Sequence, residues 1–284
     1  MKEMITSTSN AQVRQLAQLQ KKARERTQKD VFIVEGIKMY QEVPRERLVQ
    51  TYVSESFFRK HTKLFADKEG FEKDGDGKYR DGRKVGPAGT QQGAPLMLLS
   101  DHVFESISDT KTPQGVLCLV RQYHYSLRDL LGERPFVMIL ENIQDPGNLG
   151  TILRTAEGAG VTGILMSPGC VDIYNPKVIR STMGAIYRMP FYYTKEWEND
   201  IVSLKKAGVS VYAAHLKGKA FYDGMDYRGP SAFLIGNESR GLSDETANMA
   251  DTYIKIPMCG QVESLNAAVA SSVLMYEVNR QRRL

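Results

Sequence analysis

Three short stretches in the second half of the chain place polar, chemically capable residues directly after apolar runs. The first, Glu141-Asn142-Ile143-Gln144-Asp145-Pro146-Gly147-Asn148-Leu149-Gly150-Thr151-Ile152-Leu153-Arg154, follows the run 136–140. Asp145-Pro146-Gly147 turns the chain, and Asn148 is placed to cap the helix that starts there. At about 100° per residue, Leu149, Ile152 and Leu153 share one face of that helix and Arg154 points elsewhere. Arg154 is then either a solvated surface arginine or a guanidinium held over the strand ends, where it could stabilise developing negative charge. The second stretch, Ile235-Gly236-Asn237-Glu238-Ser239-Arg240-Gly241, sets a carboxylate just past another apolar run. Its glycines permit positive φ or the close approach of a flat ligand, and Glu238 reads equally as a helix-start carboxylate or a functional one. The third, Ile256-Pro257-Met258-Cys259-Gly260-Gln261-Val262-Glu263-Ser264-Leu265-Asn266, begins where Pro257 ends a strand. Ser264 can cap the helix that follows, with Asn266 in its first turn offering a donor and an acceptor. Taken alone, it also fits an ordinary strand, turn and helix.

These stretches need a frame that brings them together. Short apolar runs at 136–140, 163–167, 190–193, 210–214, 232–235 and 252–256 alternate with helical patterns at 149–158, 176–183, 200–207 and from 267 onward. That alternation predicts a mostly parallel sheet covered on both faces, with ligands outside the carboxyl ends of its strands. All three polar stretches fall at such ends. Neither GxGxxG nor GxxxxGK[ST] occurs at a strand-to-helix turn, which weakens a dinucleotide or P-loop reading and with it a nicotinamide dehydrogenase.

The first half is organised differently. Residues 1–122 read as a small α/β domain with apolar runs at 31–36, 48–53, 96–99 and 115–120, and 123–132 as a linker to the domain 133–284. A helix is predicted over 10–29: Val13, Leu16, Ala17, Leu19 and Ala23 give it an apolar stripe, and Arg14, Lys21, Lys22, Arg24, Arg26 and Lys29 crowd the rest, the first five of these being the candidate RNA-binding residues. The stretch 67–93, rich in glycine and mixed charge, reads as a flexible insertion. Residues 1–132 hold 22 Lys+Arg against 17 Asp+Glu and the remainder 16 against 16, so the net charge of +5 lies in the first half. A basic first half is the footprint expected of a nucleic-acid-binding region.

With 284 residues, 42% hydrophobic and 25% charged, the composition is that of a globular protein large enough for two domains. Neither a membrane span nor an export signal is expected, and the cytoplasm is the default compartment. Cys118, Cys170 and Cys259 are too scattered for a disulfide frame, and His61, His102, His124 and His215 never approach ligand spacing, so no metal is expected.

Together, in this order, the three stretches resemble the motifs of the SpoU/TrmH family of RNA ribose 2'-O-methyltransferases, members of the SPOUT superfamily. Asn148 with Arg154 resembles the first motif, residues 235–241 the second and 256–266 the third. Val34-Glu35-Gly36 and Thr112-Pro113-Gln114-Gly115-Val116 make the first half similar to the L30e-like RNA-binding domain that often precedes the catalytic one. The resemblance implies a parallel sheet with a deep trefoil knot, a homodimer, and S-adenosylmethionine held by Ala214, Gly236, Ile256, Met258 and Leu265. It also implies an RNA substrate, ribosomal in preference to transfer RNA. The family assigns Arg154 the part of proton acceptor, which is awkward for a guanidinium that stays protonated. The expectation here is that Arg154 stabilises alkoxide charge, that the proton leaves through Glu238 or water, that Asn148 and Asn266 orient the ribose and Arg154, and that Ser264 supports the turn. Two other classes stay open at this point, a non-catalytic RNA-binding dimer and a base-methylating relative.

Overall fold

A computed structural model describes residues 4–69, 71–73, 79–81 and 96–284 of the chain. It divides into two compact units, Met1–Tyr123 and His124–Leu284. Among the described residues no helix is long and apolar enough to cross a membrane, and no group of three or more His, Cys, Asp or Glu could hold a metal ion.

The first unit runs α1 (Ala11–Lys21), α2 (Ala23–Lys29), β1 (Val31–Glu35), α3 (Ile37–Glu42), β2 (Leu48–Ser54), α4 (Glu55–Lys60), α5 (Thr62–Glu69), β3 (Phe71–Lys73), β4 (Tyr79–Asp81), β5 (Leu96–Leu99), α6 (Asp101–Ile107) and β6 (Val116–Arg121). Its main sheet has the order β1-β6-β2-β5, antiparallel except for the parallel pair β2–β5. The apolar stripe of α1, Val13, Leu16 and Leu19, packs into a core with Ile33, Leu99, Phe104 and Leu117. Most of the proposed insertion 67–93 lies outside the described residues; the part described is the end of α5 and the hairpin β3–β4.

The single helix predicted over 10–29 is in fact two. Lys22 is extended (φ −118°, ψ 114°) and ends α1. The last carbonyls of a helix lack intrahelical partners, and here α2 supplies one: Nη1 of Arg26 donates to the carbonyl oxygens of Leu19 (2.6 Å) and Gln20 (3.0 Å). Arg26 is only 3% exposed, so it is a structural clasp and not an RNA-facing cation. Arg14, Lys21, Lys22 and Arg24 are exposed, as expected.

The second unit continues with β7 (Phe136–Leu140), α7 (Pro146–Ala159), β8 (Gly163–Met166), α8 (Pro176–Thr182), β9 (Phe191–Tyr193), α9 (Trp197–Lys206), β10 (Ser210–Ala214), β11 (Ala220–Phe221), β12 (Ser231–Ile235), α10 (Asp244–Ala247), β13 (Thr252–Lys255) and α11 (Ala267–Arg283). Its seven strands, ordered β11-β13-β10-β12-β7-β8-β9, are all parallel. The central strands β7 and β12 are buried along their whole length, the pattern of a sheet covered on both faces. Because β10 lies between β12 and β13, the carboxyl ends Ala214, Ile235 and Lys255 come side by side.

The segment 124–132 is more than a linker. Leu130 is fully buried with Val137 and Leu165, the Thr162 hydroxyl donates to its carbonyl at 2.6 Å, and Gly163 packs so close that a Cβ there would lie 2.6 Å from its Cδ2. Helix α11 is fixed along α7, where Ser272 Oγ meets Thr155 Oγ1 at 3.4 Å and Asn279 Nδ2 donates to Ala159 O at 3.1 Å. At its far end Arg282 donates to the carbonyls of Tyr227, Pro135 and Gly229, which ties the helix to the start of the sheet.

Candidate active site

The loops after β7 and β12 and the start of α11 are joined by side-chain hydrogen bonds. Asp145, with Pro146 at the first helical position, caps α7 and accepts from Asn148 N at 2.8 Å. Asn148, read as the cap from sequence, is thereby the third residue of the helix, and its side-chain amide is free to work elsewhere. Its Nδ2 donates to Glu238 Oε1 (2.9 Å), and its Oδ1 accepts from Asn266 Nδ2 (2.9 Å). Asn266, not Ser264, caps α11, accepting from the amides of Ala268 (2.9 Å) and Val269 (3.3 Å). An unbroken chain therefore runs from Glu238 through Asn148 and Asn266 into a helix terminus.

Glu238 is heavily engaged. Besides Asn148, its carboxylate accepts from the backbone amides of Asp145 (3.1 Å) and Gln144 (3.3 Å). Partial burial pushes its pKa up, but the hydrogen bonds from Asn148, its own amide, Asp145 and Gln144 outweigh that and leave it below the ordinary glutamate value. Asn237, which sequence reasoning passed over, braces the same loop: Nδ2 donates to Asn142 O at 2.8 Å and Oδ1 accepts from the amides of Ser239 (3.0 Å) and Arg240 (3.2 Å). Its signal was an asparagine opening a turn immediately after a strand.

The glycines of this turn serve the turn itself. Asn237 and Gly241 form an isolated bridge, Gly241 has φ +70°, and a Cβ on Gly236 would lie 2.1 Å from Gly241 C and Leu242 N. Gly236 is thus required by backbone packing against the returning arm of the turn, whatever ligand lies beyond it.

Outside the ends of β10, β12 and β13 is a cavity of about 350 Å³. Ala214, Gly236, Ile256, Met258 and Leu265 all line it, together with Glu238 and Ser264. Asn148, Asn266 and Arg154 do not line it. Asn266 directly follows Leu265, and Arg154 lies six residues beyond Asn148, about 9 Å further along α7. Arg154 is exposed and its side chain makes no hydrogen bond or ion pair among the described residues. Sequence reasoning also missed His215, whose Nδ1 accepts from Lys217 N at 3.1 Å while its ring lines the cavity.

Residues 135–276 match the SpoU rRNA Methylase family. The chain belongs to that family. As a SpoU methylase it carries a first unit to match, since residues 10–118 correspond to an MRM3-like substrate binding domain. The chain is 28% identical to the 23S rRNA (guanosine(2553)-2'-O)-methyltransferase RlmP of Bacillus subtilis (strain 168), over 97% of this chain and 99% of that one. It is 31% identical to the mitochondrial rRNA methyltransferase 3 of Homo sapiens, over 69% of this chain and 60% of that one. The AdoMet-bound rRNA methyltransferase from Sinorhizobium meliloti superposes with a TM-score of 0.79 at 25% identity, covering 98% of this chain and 97% of the other.

The cavity of this SpoU methylase suits S-adenosylmethionine. Its aliphatic walls, Leu216, Ile235, Ile256, Met258, Leu265 and Leu274, offer apolar surface to a purine, and two carboxylates, Glu238 and Glu263, give a negative surrounding for a sulfonium. The ends of three parallel strands add main-chain donors and acceptors.

Proposed function

We propose that this protein is an S-adenosylmethionine-dependent methyltransferase that modifies a ribose 2'-hydroxyl in 23S-type ribosomal RNA, acting in the cytoplasm as a homodimer. The observation that carries the reading is the Asn266–Asn148–Glu238 chain, which couples the helix bearing Arg154 to the wall of the cavity. S-adenosylmethionine, when bound, supplies a methyl group on a positively charged sulfur. Ala214, Gly236, Ile256, Met258 and Leu265 hold it at the strand ends, with Ser264 in the turn beside it.

Arg154 presents a planar cation with its donors uncommitted among the described residues, suited to stabilise charge that develops on the 2'-oxygen. A guanidinium does not give up its proton at neutral pH, so it does not take one either. Of the two routes for the hydroxyl proton, Glu238 or water, the saturated and acidified carboxylate of Glu238 supports water. Glu238 then holds Asn148 in place, and Asn148 and Asn266 set the start of α7 against that of α11.

Arg154 does not line its own chain's cavity, and Val269 (49% exposed) and Tyr276 (52%) lie seven residues apart on one side of α11. Both facts support pairing of two copies. The trefoil knot is part of the same reading, supported by the insertion of β13 between β10 and β11, two strands that precede it in the chain. The first unit holds RNA through Arg14, Lys21, Lys22 and Arg24, contacts that weaken with salt. Ribosomal RNA is preferred to transfer RNA because the Bacillus subtilis relative is matched along nearly its whole length.

The test is transfer of labelled methyl to an unmodified 23S rRNA transcript, followed by digestion to nucleosides. A 2'-O-methylated nucleoside is expected, and none from Arg154→Ala. Label on a base would establish the base-methylating reading instead, and calorimetric binding of RNA without S-adenosylmethionine binding would leave an RNA-binding dimer.

A further inference from the structure

The edge strand β11 brings an aromatic ring to the carboxyl end of the sheet. Phe221 is 49% exposed and Leu216, five residues earlier, 63%. Lys255, the register partner of Phe221 on β13, places its ammonium 5.2 Å from the ring centroid. The connecting loop, His215-Leu216-Lys217-Gly218-Lys219, is held down by Gly218, where a Cβ would lie 2.8 Å from the carbonyl carbon of Ile254. Lys217 pairs with Asp244 at 3.3 Å, but both side chains are more than two-thirds exposed (72% and 76%), so the pair is weak. Lys219 is exposed and its side chain makes no hydrogen bond or ion pair among the described residues; the acids that follow the loop in sequence are Asp223 and Asp226, the latter paired with Arg228.

Leu216 and Lys255 also line the cavity, so its mouth and the Phe221 surface are continuous. An exposed ring with a lysine ammonium over it, on a strand preceded by two exposed lysines, does not suit a protein interface, whose core is depleted of lysine. It does suit single-stranded nucleic acid, in which bases stack on aromatic rings and ammonium groups meet phosphates. We propose that Phe221, flanked by Lys219 and Lys255, is a stacking platform for a nucleotide that flanks the target ribose, an inference that rests on the RNA-methylating reading above.

Phe221→Ala and Phe221→Trp in the full chain, assayed with an unmodified 23S rRNA transcript, test this. Loss of one base stack predicts RNA affinity weakened, and KM for RNA raised, by about 5- to 100-fold in the alanine variant. Phe221→Trp should retain wild-type affinity, with melting temperature and S-adenosylmethionine affinity by calorimetry unchanged in both. Lys219→Gln should lower the salt slope of RNA binding by about one. RNA affinity and KM within twofold of wild type in Phe221→Ala overturn the platform, as does equal loss in the tryptophan variant. Self-association lost in Phe221→Ala with RNA affinity intact also overturns it and marks a protein interface. Absence of methyl transfer by the unsubstituted chain counts against the enzymatic reading, whereas full transfer with an unmoved KM in Phe221→Ala counts against the platform alone.

Discussion

The basic helices α1 and α2 and the strand ends of the second unit both concentrate polar side chains, and the two regions dispose of them in opposite proportions. In the helical region one cation of the six, Arg26, is consumed internally while Arg14, Lys21, Lys22, Arg24 and Lys29 face water. At the strand ends most polar groups are consumed: Glu238, Asn148, Asn266, Asn237 and Asp145 bind one another or nearby backbone, and the Arg154 side chain, further along α7, is left uncommitted among the described residues. A surface that grips a polyanion by charge tolerates many loose cations, because phosphate contacts add up without fixed geometry. A site that must align an oxygen with a transferable group needs its polar groups fixed before substrate arrives.

The sharpest way to break this contrast is at Arg154. Replacement by lysine keeps the charge and loses the planar fork, and methyl transfer in single turnover should fall by about 10² to 10³, the range for removing one preorganised charge-stabilising donor. S-adenosylmethionine affinity should hold, since Arg154 does not line the cavity. Near-normal transfer by the lysine variant would mean that a point charge is enough and that the geometry around Arg154 is incidental. Asn148→Ala should cost less, roughly tenfold, because it releases Glu238 and Asn266 without touching the charge.

The helices give the complementary test. Arg26→Ala strands the carbonyls of Leu19 and Gln20 and should destabilise the fold by about 1 to 3 kcal/mol, read as a lowered denaturation midpoint, with the salt slope of RNA binding unmoved. Lys21→Gln and Arg24→Gln should do the reverse, each lowering that slope by about one while the midpoint stays put.

Periodicity and turn chemistry made the frame of both units legible: the paired strands 31–35, 96–99, 136–140 and 210–214 fall within a residue of where apolar runs end. Elements too short to show a period, β11 with two residues and α10 with four, left no trace. Within the site, the resemblance named Ala214, Gly236, Ile256, Met258 and Leu265, which line the cavity, yet both caps were misassigned, that of α7 by three positions and that of α11 by two. Asp145 and Asn148, or Ser264 and Asn266, are all good cap formers, and only tertiary bonds decide which one does it. Arg26 looked like its neighbours for the same reason: nothing local distinguishes a cation that turns inward. The engagement of Glu238 was equally invisible, since its partner Asn148 is 90 residues away.

The smallest effect, at Glu238, separates positioning from proton transfer. Its folded pKa lies below the ordinary glutamate value because hydrogen bonds outweigh burial. A lowered folded pKa means that the ionised carboxylate stabilises the fold fully above the unfolded pKa of about 4.3, and that this contribution is lost as pH falls through the folded value. The loss should appear as faster hydrogen exchange at the amides of Gln144 and Asp145, its backbone partners, when pH drops below about 4.3. Glu238→Gln should remove that pH dependence. At neutral pH it should lower turnover by less than about tenfold, because an amide oxygen still accepts from Asn148, whereas removal of a true general base costs about 10² to 10⁴. A loss in that larger range, together with disappearance of the acidic limb from the pH–rate profile, would return the proton to Glu238 and make Asn148 its orienting partner.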